Sequence, residues 1–351
     1  MAALPRIAVV AMNALPVVLG EHGRIGGMET FAWNLVRGLA TSGYDTWLVV
    51  RSVRKPSVDR VEGVRLLVDI EPLREVRRRV SEQVEFRPGF PWLKIQKWSP
   101  ALAWQIPALA VARGLRSRVP LSDRIAALFD EARPDVVLAL GVSGESRAAI
   151  AAAHKRNGLG VLWLRSNADL DPRWYSDPEF RNSYGVTSAE ARACLVESDG
   201  IIAQTALQRD RLKELNGRDA AVIQNPVDLK TYSPGSDEPR RGVLWIGRYD
   251  RFHKRPLLAM EIARQCPGVP FTLVINEGDA EVADEVRRLK PDNVTIVDSV
   301  PRPEMPDRFR NARVFLSTGS VEHEGFPNVL LEAAASGTPV VSLEDFDGYV
   351  G

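Results

Sequence analysis

Short apolar runs alternate with longer stretches of mixed polarity along the whole 351-residue chain. The runs predict strands at 7–10, 46–50, 64–68, 136–140, 161–164, 201–203 and 221–223, and again at 243–246, 271–275, 294–297, 314–317 and 339–342. The stretches between them space their apolar residues three and four apart, as one helix face requires. Phe31, Leu35 and Leu39, with Ala32, Val36 and Ala40 beside them, give that face to a helix that begins near Met28 and ends at Gly43. Further helices are expected at 147–155, 188–197 and 207–215, with another capped by Ser122 and carrying Ile125, Leu128 and Phe129. Such an alternation builds parallel sheets with crossover helices. Pro226, Pro234, Gly235, Asp237 and Pro239 interrupt the series once. Two domains are therefore expected, 1–225 and 242–351, joined by a linker at 226–241.

Composition removes several alternatives. The apolar share of 45% and the charged share of 26% are those of a soluble globular chain. A net charge of +1 supplies no global field for nucleic acid. Cys194 and Cys266 stand alone, with neither disulfide nor zinc spacing, which fits a reducing, cytoplasmic compartment. His22, His154, His253 and His323 are too scattered to predict a metal site. No apolar run reaches the roughly 18–20 residues that cross a bilayer. Asn13 and Pro16 break the apolar N-terminus, so it is read as a strand and loop, not a signal peptide.

The chemistry collects near the C-terminus. Glu324-Gly-Phe-Pro-Asn-Val-Leu-Leu-Glu332 reads as a tight loop opening into a helix, with Pro327 at its first position and Gly337 and Pro339 ending it. Gly325 permits a turn or a close approach. The N–H groups of such a helix start favour phosphate. Glu324 and Glu332, flanking that start, suit neutral hydroxyls, so the stretch reads as a pocket for a phosphorylated, hydroxyl-rich ligand. Strand 243–246 runs into Gly247-Arg248, with Lys254 six residues on, a cationic loop fit for pyrophosphate. Gly23, Gly26 and Gly27 fill the loop after the first strand, though without the dinucleotide spacing. Arg165-Ser-Asn167 ends the strand at 161–164, where polar residues meet ligands.

Three other features carry less. Asp169-Leu-Asp171 is a D-x-D string, more readily a turn than a metal site. Gly141-Val-Ser-Gly-Glu145 lacks the last glycine of a nucleophile elbow, so a serine hydrolase is not expected. Residues 51–98 hold 12 Lys/Arg against 7 Asp/Glu. Arg77-Arg-Arg79 and the mix of Phe86, Phe90, Trp92, Lys94, Lys97 and Trp98 read as a solvated insertion, with a peripheral membrane or acceptor contact as the other reading.

Gly26-Gly-Met-Glu29, Asn225-Pro-Val-Asp228, Gly247-Arg248 with Lys254, and the E-x7-E motif Glu324 to Glu332 stand in an order that resembles glycosyltransferase family 4. The resemblance implies an α/β, GT-B architecture: two Rossmann-like domains whose parallel sheets face across a cleft. It implies retaining transfer of a sugar from a nucleotide-sugar donor to a glycan, lipid-linked or small-molecule hydroxyl acceptor, with no metal and no cofactor. Arg248 and Lys254 would neutralise the diphosphate, and Glu324 would sit by the donor sugar. Phe326, Asn328 and Val329 would hold phosphates and sugar, Glu332 the ribose, and Gly26 and Gly27 the diphosphate from the opposite domain. The loop from Ser299 to Arg302 would meet the base. Family members often carry a His where this chain has Arg165 to Asn167, so Arg165 or Asn167 is the expected contact with the transferred sugar or the acceptor. The second domain is expected to be shortened, since Gly348-Tyr-Val-Gly351 reads as an interruption. A nucleotide-sugar epimerase or hydrolase of the same fold, and a nucleotide-binding homologue without turnover, remain the other readings.

Overall fold

The computed structural model describes residues 4–20, 26–87, 91, 93–115, 119–182, 184–235, 239–298 and 300–350. Gly23, Phe90, Trp92, Asp237 and Ser299 of the sequence reading lie outside these described residues.

Strands β1 (Ile7–Val10), β2 (Thr46–Ser52), β3 (Arg60–Val61) and β4 (Val64–Ile70) open the first sheet. A hairpin of β5 (Val84–Phe86) and β6 (Leu93–Ile95) lies apart from it. Strands β7 (Val136–Leu140), β8 (Leu159–Trp163), β9 (Gly200–Ala203) and β10 (Ala221–Val222) complete an eight-stranded sheet, in the order β10-β9-β8-β7-β1-β2-β4-β3. Among the described residues, only β3 pairs antiparallel in it, against β4. The second sheet contains β11 (Arg241–Arg248), β12 (Phe271–Asn276), β13 (Val294–Asp298), β14 (Ala312–Ser317) and β15 (Val340–Ser342). Its order is β13-β12-β11-β14-β15, parallel throughout.

Strand β1 is buried along its whole length because helices cover both faces of its sheet. One face packs Ile125, Phe129 and Ile150, and the other packs Phe31, Ala32 and Val36. Both sheets wind outward in two directions from a central strand. In the first, the chain leaves β1 towards β2 and later resumes on the other side with β7. In the second, it leaves β11 towards β12 and resumes with β14. The crevice beyond the strand ends at such a reversal is where open parallel sheets bind ligands.

Local chemistry shifted several boundaries. Pro120, not Ser122, precedes the helix Leu121–Ala132; Ser122 falls in its first turn. Ser143 Oγ accepts from the Ser146 N–H and starts the helix Gly144–His154 three residues before the expected 147. Strand β8 covers 159–163, not 161–164, since the last apolar residue, Leu164, already belongs to the loop. A short helix, Leu15–Val18, occupies part of the loop expected after β1. Helix Arg74–Ser81, the β5–β6 hairpin and helix Leu102–Leu115 form a small unit around Val80, Val84 and Leu102.

Candidate functional site

Two loops of the second sheet are stitched together at its reversal. Thr318 Oγ1 donates to the Lys254 carbonyl (2.6 Å), and the Ser320 N–H donates to the His253 carbonyl (3.0 Å). Arg255 Nε donates to the Thr318 carbonyl (2.6 Å), and its guanidinium also pairs with Glu344. These bonds hold the turn after β11 against the turn after β14. Lys254 Nζ thereby meets Glu324 Oε1 at 2.6 Å, with the Glu324 side chain only 10% exposed. The other oxygen, Oε2, is buried without a partner among the described residues.

Glu332 lies one turn into the helix Asn328–Ala335. Pro327 is the cap of this helix, not its first residue, because its backbone is extended (φ −68°, ψ 122°). The Glu332 carboxyl is enclosed although the residue keeps some surface. Burial pushes it up to about 7, against Arg302, the Tyr232 hydroxyl and Lys254, which pull it down. Arg302 Nη2 in turn donates to Asn34 Oδ1 of the first domain (3.0 Å).

Arg248 points elsewhere. Its Nη2 donates to Asp250 Oδ2 (2.9 Å), and the Tyr184 hydroxyl of the first domain faces its guanidinium. Burial would raise Asp250, but His253 and Arg248 outweigh it and hold the carboxylate far below its ordinary range.

The first domain grips the Glu324 loop. Ser166 Oγ donates to the His323 carbonyl, and Asn167 Nδ2 to the Val321 carbonyl. The Arg165 guanidinium lies 3.5 Å over the Phe31 ring, and its Nη1 donates to Asn225 Oδ1 (2.9 Å). Burial pulls Arg165 down, with Asp169 opposing. Asn225 Nδ2 donates to the Phe326 carbonyl (2.9 Å) and to Asn328 Oδ1 (2.7 Å). Asn328 Nδ2 reaches the Gly27 carbonyl at 3.3 Å, where Gly27 opens the helix Gly27–Thr41 and Gly26 caps it.

Contacts thus join Lys254, Glu324, Glu332 and Arg302 in one group and link Arg165, Phe326, Asn328 and Gly27 through Asn225 in another; Gly26 and Val329 neighbour Gly27 and Asn328 in the chain, Phe326 and Asn167 are buried, and Arg248 is turned towards Asp250. The D-x-D carboxylates serve the backbone instead. Asp169 accepts from the N–H groups of Val142, Arg165 and Ser166, and Asp171 pairs with Arg173. The sequence reading missed Asn34, Tyr184, Gln204 and Tyr232. Gln204 follows β9 as Arg165 follows β8, and a polar residue just past a strand end was a usable signal. Tyr232 sat in a segment read only for its prolines, and nothing local marked Asn34 or Tyr184.

A model described as Glycosyltransferase Family 4 matches residues 25–231, and one described as Glycosyl transferases group 1 matches residues 240–348. A glycogen synthase of Mycobacterium tuberculosis is 27% identical over 357 residues, covering 96% of this chain and 77% of that protein. A D-inositol 3-phosphate glycosyltransferase of Kribbella flavida is 26% identical, covering 97% and 79%. Among solved structures, sucrose-phosphate synthase from Thermosynechococcus elongatus superposes with a TM-score of 0.62 at 16% identity, over 97% of this chain and 81% of that one. AviGT4, a glycosyltransferase involved in avilamycin A biosynthesis, superposes at 0.58 and 18% identity, over 99% and 82%. With more than half of the chain matched by one family model and both sheets arranged as described, the chain belongs to glycosyltransferase family 4 and has the GT-B fold.

Proposed function

We propose that this glycosyltransferase moves a sugar from a nucleotide-sugar donor to a hydroxyl acceptor with retention, without a metal, in glycan or glycolipid assembly. The observation that carries the reading is the Lys254–Glu324 pair at the reversal of the second sheet, on a loop that the first domain holds through Ser166 and Asn167. The donor diphosphate lies on Lys254, and Arg248 swings from Asp250 to join it, so that both charges stabilise the leaving group as negative charge develops on it. The N–H groups of Phe326, Asn328 and Val329 and the backbone at Gly26 and Gly27 hold phosphate oxygens and sugar. Glu332 accepts from ribose hydroxyls, and Arg302 meets the base. Glu324 takes a sugar hydroxyl in place of Lys254 or steadies positive character in the ring. Arg165 and Asn167 hold the loop that carries Glu324.

The bond between the anomeric carbon and the phosphate oxygen breaks as the acceptor oxygen bonds to that carbon from the same face. The acceptor proton passes to the departing phosphate oxygen. Arg248 and Lys254 supply the positive charge a metal would otherwise bring, and the D-x-D carboxylates are committed to Arg173 and to backbone N–H groups.

The relatives support this reading through the transfers their names describe. Calorimetric titration with UDP, GDP and ADP tests it. One nucleotide should bind the wild type and be lost in Arg248→Ala and Glu332→Ala, and binding left intact in both variants would refute the site. Proton NMR of the product's anomeric centre tests retention, and turnover in EDTA tests metal independence.

A peripheral membrane contact through residues 74–98, with a lipid-linked acceptor, is a further element of the proposal. Trp98 and Trp104 are 66% and 57% exposed. The arginine run, however, is internally paired: Arg77 with Glu71, Arg78 with Glu75 and Glu82, and Arg79 with Glu75. Among the described residues, no helix is long and apolar enough to cross a membrane.

A further inference from the structure

Lys254 meets Glu324 because two turns are tied together, and one residue of that tie holds a backbone conformation its own sequence disfavours. Arg255 has φ 50° and ψ 55°, in the left-handed region. A residue with a Cβ is crowded there. Pro256 follows, and its ring pushes the preceding residue towards extended backbone. Local sequence opposes the conformation on both counts, so contacts of the folded chain impose it. We propose that Arg255 is a positioning residue for the transfer: its left-handed backbone aims a guanidinium that fixes Lys254, the residue before it, against the donor diphosphate. The proposal rests on the reading of Lys254 as a diphosphate ligand.

All three guanidinium nitrogens have protein acceptors. Nε donates to the Thr318 carbonyl (2.6 Å), Nη2 to the Gly319 carbonyl, and Nη1 pairs with Glu344 Oε1 (2.6 Å). Thr318 and Gly319 belong to the turn after β14, and Glu344 to the loop after β15. Glu344 is anchored in its turn. Its Oε2 accepts from the Val321 N–H (2.7 Å), and the Val321 carbonyl accepts from Asn167 Nδ2 of the first domain. Arg255 therefore fastens Lys254 to the segment that carries Glu324 and that the first domain holds.

The backbone at Arg255 is tied as well. Its N–H donates to the Asp250 carbonyl (2.9 Å), which closes the turn, and its carbonyl accepts from Thr318 Oγ1 (3.2 Å). Glycine would adopt this conformation freely. What the arginine adds is a planar fork that reaches three acceptors at once, which a lysine ammonium on its flexible stem does not reproduce. The same engagement separates Arg255 from the ligands of the donor. Its side chain is 23% exposed and already occupied, so the diphosphate meets Lys254 and not Arg255.

Calorimetric titration of the whole chain with UDP, GDP and ADP, in a double-mutant cycle with Lys254→Ala, tests the proposal. The nucleotide that binds the wild type should bind Arg255→Gly about tenfold more weakly, as a displaced contact would. In the Lys254→Ala background the same change should move the affinity by less than about twofold, because the residue that Arg255 positions is gone. An arginine that only supports the fold would weaken both backgrounds alike. That result would overturn the proposal, and so would wild-type affinity in Arg255→Gly. The bonds from Thr318 Oγ1 to the Lys254 carbonyl and from the Ser320 N–H to the His253 carbonyl survive the substitution, and glycine relaxes the backbone. The thermal midpoint should therefore stay within about 5 °C of the wild type. If Arg255→Gly does not fold, Arg255→Lys carries the same cycle with the same expectation, since it keeps the charge and loses the fork. Failure of the donor reading looks different: the wild type binds no nucleotide, or Lys254→Ala binds it as the wild type does.

Discussion

A Cβ on Gly325 would collide with the Gln204 side-chain amide and stand 2.8 Å from the Arg165 carbonyl. The close approach permitted by this glycine is therefore to the opposite domain. Gly325→Ala forces the Glu324 loop away from the strand ends that hold it. We expect a loss of about 1–3 kcal/mol, typical of overpacking at a filled site, together with a fall in turnover. Urea unfolding and initial rates measure the two, and unchanged stability would show that the interface yields freely.

Lys254 and Glu324 neutralise one another in the free protein. Lys254→Ala should weaken nucleoside diphosphate binding by about 10–100-fold, the worth of a charge-assisted contact. Its turnover should fall by roughly 10²–10³-fold if the lysine stabilises the leaving group. Glu324→Gln has a different signature: turnover falls, but nucleoside diphosphate binds as well or better because Lys254 is released. Weaker nucleotide binding in Glu324→Gln would contradict this account.

Glu332 makes stability and binding respond to pH in opposite directions. Burial raises its pKa from 4.5 to about 7. Across that window the folded chain keeps a proton that the unfolded chain has released, so stability declines as pH rises. The decline should amount to roughly 1–3 kcal/mol, and Glu332→Gln should remove it. Nucleotide affinity should increase over the same range, since the ionised carboxylate is the better acceptor for ribose hydroxyls. Denaturation and calorimetry at pH 5, 6, 7 and 8 test both signs.

Asp347 of the second domain accepts from the N–H groups of Ala206 and Leu207 at 2.9 and 3.3 Å, capping the helix Ala206–Asn216 of the first. Thr205 is the helix's own cap, so Asp347→Ala should cost about 0.5–1.5 kcal/mol, the worth of a lost hydrogen bond. Combined with Asn167→Ala, which removes the bond to the Val321 carbonyl, it should open the cleft. Small-angle scattering would register a larger radius of gyration, and an unchanged profile would argue that other contacts suffice.

The paired arginines of the small unit bear on membrane contact. With Arg77, Arg78 and Arg79 engaged by glutamates, attraction to anionic vesicles should come mainly through Trp98 and Trp104 and depend weakly on salt. Co-sedimentation at low and high salt, with Trp98→Ser/Trp104→Ser as control, decides it. Absence of any retention at low salt would remove the contact.

Local pattern alone determined much of this molecule. The strands of a doubly covered parallel sheet must be apolar on both faces, so their positions could be read from runs such as Ile7–Val10 and Phe271–Asn276. Polar residues at or just past the strand ends, Arg165 and Arg248 among them, were legible in the same way. Helix starts were less legible where Ser122 and Pro120, or Pro327 and Asn328, competed for the cap, since neighbouring residues offer similar local energies. Only the tertiary structure decided which strand ends meet. Strand order brings the turns after β11 and β14 together and sets Lys254 on Glu324. It brings Arg165, Gln204 and Asn225 from three separate segments onto the Gly325–Asn328 loop. It folds Tyr232 over Glu332 and turns Arg248 towards Tyr184. Those contacts join residues far apart in the chain, and local periodicity encodes how each element is built but not which elements become neighbours.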